Sequence, residues 1–225
     1  MTIVSLLFTL LSFSMQSAQP AIVPVGQEPR HHVKFQNRYV RVIDAIIPPG
    51  NVTLFHTHSA DNIPVAIDGG DLRTVLVGSS DPPSNSTVER GRTWWAPAAY
   101  SHQITNTGKN TVRFIDAEIL ASPGPVADAP SLAEIPGHSL LFENERVRVY
   151  RIILQPGQTS GLHKHGRSYL NVPISGGSLE VESPGKKPRP TRVKPGAFAW
   201  FDGPLSHSVK NSGAVAYEAV DIELK

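Results

Sequence analysis

The chain of 225 residues has no cysteine. That single absence removes disulfides, thiolate zinc sites and thiol nucleophiles, and leaves the cellular compartment open. Charge of one sign is also lacking: the net charge is +2, too small to point to nucleic acid as a partner. Long apolar runs are missing as well. Ile3 to Phe13 is mostly apolar, but falls short of the roughly 20 residues a spanning helix needs, so no stable membrane insertion is expected. No stretch keeps a sustained helical period, which leaves strands as the dominant expected element.

What is present begins with that apolar N-terminus. Small residues Ser17-Ala18 precede Gln19-Pro20, in the manner of a secretory signal peptide over residues 1–18, although no Lys or Arg precedes the apolar stretch. This reading places the mature protein outside the cytoplasm, secreted or periplasmic. Gln19 to Pro29 is Pro-punctuated and reads as irregular. From there, short β-branched runs alternate with Pro, Gly, Asn and Ser turns: Tyr39 to Ile47, Val52 to His58, Ile63 to Ile67, Leu72 to Val77, His102 to Thr105 and Thr111 to Ile119. Many short strands at close spacing argue for an all-β sandwich or barrel.

The pattern then repeats. Phe142-Glu143-Asn144 echoes Phe35-Gln36-Asn37, and His163-Lys164-His165 echoes His56-Thr57-His58, at an offset of 107 residues. Further on the offset is 105, as in Trp95 to Trp200, His102 to His207 and Glu118 to Glu223. This is a tandem duplication of a unit large enough for one compact β domain. Residues 19–121 form the first unit, the Pro-rich stretch 122–136 a linker, and 137–225 the second. The charge is uneven between them. Residues 1–136 carry 9 Lys+Arg against 11 Asp+Glu, and residues 137–225 carry 12 against 8. Much of the excess is Lys186, Lys187, Arg189, Arg192 and Lys194, read either as a solvated loop or as a docking site for an anionic ligand.

Six of the nine histidines fall in the repeated phrases. Residues two apart on a strand share a face, so His56 projects with His58, and His163 with His165. A third imidazole from a neighbouring strand, His102 or His207, completes a set of neutral nitrogen ligands that leaves coordination positions open. The expected cofactor is a divalent transition metal (Fe, Mn, Ni, Cu or Zn), up to one per unit. Asp61 and Tyr169 are the candidate catalytic side chains beside the two pairs. Trp94, Trp95, Trp200 and Phe201 are expected to pack the barrels. The pairs Asp116/Glu118 and Asp221/Glu223 are expected on solvated strand faces, and His31-His32 exposed. His138 is read as lacking a counterpart in the first unit.

These residues resemble the cupin superfamily. Gly50-x5-His56-x-His58 and Gly157-x5-His163-x-His165 match the opening of its first motif, with Gly69 and Gly176 near its closing glycine. Pro97, His102 and Asn106, and Pro204, His207 and Asn211, are similar to its second motif. The resemblance covers about residues 33–120 and 138–225 and implies two tandem cupin-type jelly-roll β-barrels, each with a metal in its mouth. The family's usual first-motif glutamate would fall at 62 or 63 and at 169 or 170, where this chain has Asn62-Ile63 and Tyr169-Leu170. The resemblance therefore implies three-histidine sites with a changed fourth ligand. Its expected function is metal-dependent oxidoreduction, dioxygenase-like, on a small organic substrate. A metal-dependent isomerase, hydrolase or lyase activity on a sugar acid, and metal or ligand binding without turnover, are the alternatives. Oligomeric state stays open.

Overall fold

The computed structural model describes residues 21–126 and 129–225; the expected signal peptide lies outside the described residues. The first copy contains β1 (Ile22–Pro24), β2 (His31–Gln36), β3 (Val40–Ile47), β4 (Phe55–His58), β5 (Asp61–Asp68), β6 (Gly70–Leu76), β7 (Ser84–Val88), β8 (Tyr100–Asn106) and β9 (Val112–Ile119). The second contains β10 (His138–Glu143), β11 (Val147–Leu154), β12 (His163–His165), β13 (Tyr169–Pro173), β14 (Gly177–Glu182), β15 (Arg189–Val193), β16 (Ala199–Phe201), β17 (Leu205–Asn211) and β18 (Tyr217–Leu224). Among the described residues the one helical element is a 3-10 turn, Val25–Gln27, and no helix is long and apolar enough to cross a membrane.

The fold is all-β, two jelly-roll barrels in tandem. In the first copy the sheet β2-β3-β9-β5 faces the sheet β1-β4-β8-β6-β7; in the second, β10-β11-β18-β13-β16 faces β12-β17-β14-β15. The stretch read as irregular before the first strand is partly ordered, because β1 adds in parallel to β4, with Val23 opposite His56.

The largest apolar core lies between the copies rather than inside either one. Val40, Val42, Ile63, Val65, Ile115 and Ala117 pack in one cluster with Val147, Val149, Leu170, Val172, Val220 and Ile222. Strand alternation sets this up. Odd-numbered residues of β9 (Ile115, Ala117, Ile119) face the other copy, while Phe114, Asp116 and Glu118 turn into their own barrel. Trp95 and Trp200 pack against the shared core, and Trp94 against the first barrel's interior. The expected linker also contributes: Leu132 is buried in the second barrel's core beside Tyr150.

Polar contacts across the interface follow the duplication with their charges exchanged. Arg113 pairs with Asp44 in the first copy, and the matched positions in the second carry Glu218 and Arg151, also paired. Each arginine lies over a glycine of the opposite copy. A Cβ added at Gly91 would sit 2.5 Å from the Arg151 guanidinium, and one at Gly196 2.7 Å from that of Arg113. Both glycines also have positive φ, 80° and 71°, which disfavours any side chain there.

Candidate metal centres

In each copy the His-x-His pair projects into the barrel from β4 or β12. The third histidine stands directly across the ladder, His56 opposite His102 and His163 opposite His207. Asn106 and Asn211 hold the ends of these ladders. Each donates its side-chain amide to two backbone carbonyls, those of Ile47 and Asn110 or of Leu154 and Val215.

A fourth histidine enters from the facing sheet, and the sequence reading missed it. His31 on β2 is 4% exposed, not solvated, and its ring centroid lies 4.4 Å from that of His56. Its neighbour His32 is exposed as expected. His138 on β10 lies 5.2 Å from His163 by ring centroids. His31 and His138 are separated by the same 107 residues as the other matched pairs, so His138 does have a counterpart. The nitrogens within 4.8 Å of one another belong to His31, His56 and His58 in the first copy, and to His163, His165 and His207 in the second. His102 joins the first group through His56, Nε2 to Nε2 at 2.9 Å.

Hydrogen bonding on the far side of each ring decides what the near side offers. His56 Nδ1 donates to the Leu54 carbonyl at 2.9 Å and His163 Nδ1 to the Gly161 carbonyl at 3.0 Å. His165 Nδ1 faces Glu223 Oε1 at 3.3 Å. His31 Nδ1 lies 2.6 Å from Glu28 Oε2, and His138 Nδ1 3.3 Å from the Pro136 carbonyl. In a neutral ring that proton leaves Nε2 bare. His163 Nε2 and His165 Nε2 are then two lone pairs only 3.2 Å apart, and His207 Nε2 lies 3.0 Å from His163 Nε2. Converging lone pairs repel unless a cation sits between them, so the donor set fits a metal ion.

Burial favours the neutral form of most of the cluster histidines. It is the main cause that lowers His56 to about 4, His102 to about 2, His138 to about 4, and His165 and His207 to about 3, with neighbouring histidines pushing the same way. For Glu28 burial alone would raise the carboxyl. Hydrogen bonds from His31 and from the Leu54 and Arg30 amides outweigh it and hold the group at about 2.

The paired carboxylates on β9 and β18 are not on solvated faces. Asp116, Glu118, Asp221 and Glu223 are all buried. Glu118 Oε1 stands 3.5 Å from His58 Nδ1, and its other oxygen accepts from Arg41 at 2.7 Å. Glu223 takes the matching place behind His165. Asp116 and Asp221 lie two residues earlier on the same face, in the cavity walls. Burial raises Asp116 and pushes Asp221 up to about 7, although Asn171 donates to it at 2.7 Å.

Each cluster borders a cavity of a few hundred cubic ångströms. The first, about 240 Å³, is bounded by His31, His58, His102, Tyr100, Asn62 and Asp116. The second, about 210 Å³, is bounded by His138, His163, His207, Tyr169, Phe201 and Asp221, with a mainly apolar remainder. Asn62, at the expected glutamate position, accepts from the Tyr100 hydroxyl at 3.0 Å, and its buried amide nitrogen has no partner. Tyr169 takes the glutamate position in the second copy. Its ring stacks on His165 at 3.9 Å and on Phe201 at 4.8 Å, and burial favours the neutral phenol. Tyr100 stacks on His58 at 5.0 Å, so both copies cover the second His-x-His ring with a tyrosine, from different strands. Asp61 points elsewhere: it pairs with Arg146 of the other copy and accepts from the Ala98 amide, outside the histidine cluster.

No protein-family model matches the chain. The beta-alanine degradation protein BauB of Pseudomonas aeruginosa is 30% identical over 83 residues, 37% of this chain and 86% of that protein. The crystal structure of AerE from Microcystis aeruginosa superposes with a TM-score of 0.62 at 13% identity, covering 88% of this chain and 98% of that one. Oxalate decarboxylase from Bacillus subtilis gives 0.61 at 13%, covering 83% and 68%. A cupin 2 conserved barrel domain protein from Leptotrichia buccalis gives 0.52 at 14%, covering 85% and 86%. At such identities the three structures establish the fold alone.

Proposed function

We propose that this chain, with its two cupin-type barrels, is a metal-dependent oxidoreductase, dioxygenase-like, acting on a small organic substrate outside the cytoplasm. The observation that carries the reading is the convergence of imidazole nitrogens in each barrel, 3.0 and 3.2 Å apart in the second copy. His31, His56, His58 and His102 would hold one divalent transition metal, and His138, His163, His165 and His207 another. A metal with a purely neutral nitrogen set keeps its full positive charge and can polarise a bound substrate or take part in electron transfer.

The protein's own groups supply the rest. Glu223 orients the His165 ring through its Nδ1, and Glu118 takes the matching place 3.5 Å behind His58. Tyr100 and Tyr169 cover those rings and keep water from one side. The apolar walls around Leu179, Val181 and Phe201 favour an uncharged substrate body. Asp221, held near 7 in the cavity wall, can accept a proton from a substrate at neutral pH and return it; Asp116 holds the matching position in the first copy. The N-terminal apolar stretch Ile3 to Phe13 supports export.

Oxygen uptake by the metal-loaded protein over a panel of diketones, flavonols and uronates tests the reading. Uptake with at least one member, reduced at least tenfold in Asp221→Asn, is expected. Isomerised uronate without oxygen uptake would replace oxidoreduction with isomerisation, and silence across the panel would leave a binding module.

A further inference from the structure

The two cavities differ most at their rims. In the second copy β15 runs along β14 with Arg189 opposite Val181, Thr191 opposite Leu179 and Val193 opposite Gly177. Alternation puts Arg189, Thr191 and Val193 on the face toward the cavity, and all three line it. Arg189 is exposed, which places it at the opening. Among the described residues its guanidinium has no hydrogen-bond or ion-pair partner. The same register in the first copy puts Ser84 opposite Thr74, Ser86 opposite Leu72 and Val88 opposite Gly70. Ser84 therefore stands where Arg189 does. The contrast extends along the strap: Lys186, Lys187, Arg189, Arg192 and Lys194 replace Asp81, Pro82, Ser84, Thr87 and Glu89.

We infer that the second cavity is a binding site for a small monocarboxylate with an apolar body, its carboxylate paired with Arg189 at the rim and its body among Leu179, Val181 and Phe201. The inference deepens the reading of this cavity as a substrate site. The planar fork of a guanidinium matches a carboxylate bidentately. One arginine above an apolar wall suits a single negative charge, whereas a phosphate dianion calls for more donors. At about 210 Å³ the cavity lies below the range of drug-sized pockets, about 300–1,000 Å³, so the body must be small. The other basic residues raise the local concentration of anions at the opening, and Arg189 alone on β15 faces inward with a charge.

Calorimetric titration of the full chain with hexanoate, hexanamide and inorganic phosphate tests this, in metal-loaded and chelator-stripped protein. Hexanoate is expected to saturate one site and to bind at least about tenfold more tightly than hexanamide. Arg189→Gln should erase that preference, while Arg192→Gln, on the outward face of the same strand, should leave it intact. No saturable hexanoate binding, equal binding by Arg189→Gln and the unmodified protein, equal weakening by Arg192→Gln, or tighter binding of phosphate would each overturn the inference. Hexanoate binding that needs metal but not Arg189 would overturn it and leave the metal reading standing. Arg189-dependent binding by protein that takes up no metal would do the reverse.

Discussion

His31 and His138 lie 107 residues apart and take the same place in their two barrels, each presenting an imidazole, His31 buried and His138 half-buried, from the facing sheet to the first ring of a His-x-His pair. Replacing either with Ala is expected to weaken metal retention in its own barrel and spare the other. Equilibrium dialysis against a graded chelator series reads this directly, and unchanged retention in both variants would remove the fourth histidine from the site.

Glu118 and Glu223 stand behind His58 and His165 without reaching the cavity. Outer partners of this kind are worth about ten- to a hundredfold in metal affinity. Glu223→Gln should lower affinity by that much in the second barrel with little change in thermal stability. Metal titration beside a melting curve separates the two effects, and a large loss of stability at unchanged affinity would make Glu223 a purely structural residue.

The histidine pairs, the duplication and the all-β class were legible because each rests on spacing. What misled the reading was the second face of β9 and β18. A strand such as Val112–Ile119, alternating apolar and charged residues, ordinarily has one solvated side. Here Ile115, Ala117 and Ile119 face the other copy, so the alternate side closes around the histidine cluster and Asp116 and Glu118 are buried. No local pattern marks a strand buried on both faces by a partner barrel. His31 and His138 were discoverable: the offset applied to the other matched residues pairs them. Asp61 lies next to the histidines in sequence, yet the turn into β5 directs it to Arg146.

The shared core predicts cooperative unfolding. Ile222 is fully buried between the copies, and Ile222→Ala should cost about 2–5 kcal/mol. Urea denaturation is expected to remain a single transition at a lower midpoint. Two separated transitions, with only the second copy destabilised, would show the barrels to be independent.

Acid should destabilise the metal-free protein. His56, His102, His138, His165 and His207 sit at about 4, 2, 4, 3 and 3, against 6.5 for a free imidazole. Between those values the unfolded chain binds more protons, so stability falls as pH falls. Asp221 and Glu223, both raised to about 7, act in the opposite sense, since the folded form keeps their protons as pH drops. Five groups acting in one sense outweigh two acting in the other. The urea midpoint should therefore be lower at pH 5 than at pH 7.5, and a midpoint that is flat or rises on acidification would contradict these burial effects.

The central claim is that the converging histidines bind metal, up to one ion per barrel, and elemental analysis of the purified protein tests it most directly. The account predicts one to two equivalents of a divalent transition metal per chain, with the second barrel's share lost in His165→Ala and the first's in His58→Ala. Protein that stays metal-free after incubation with each candidate ion, all eight cluster histidines intact, would contradict it.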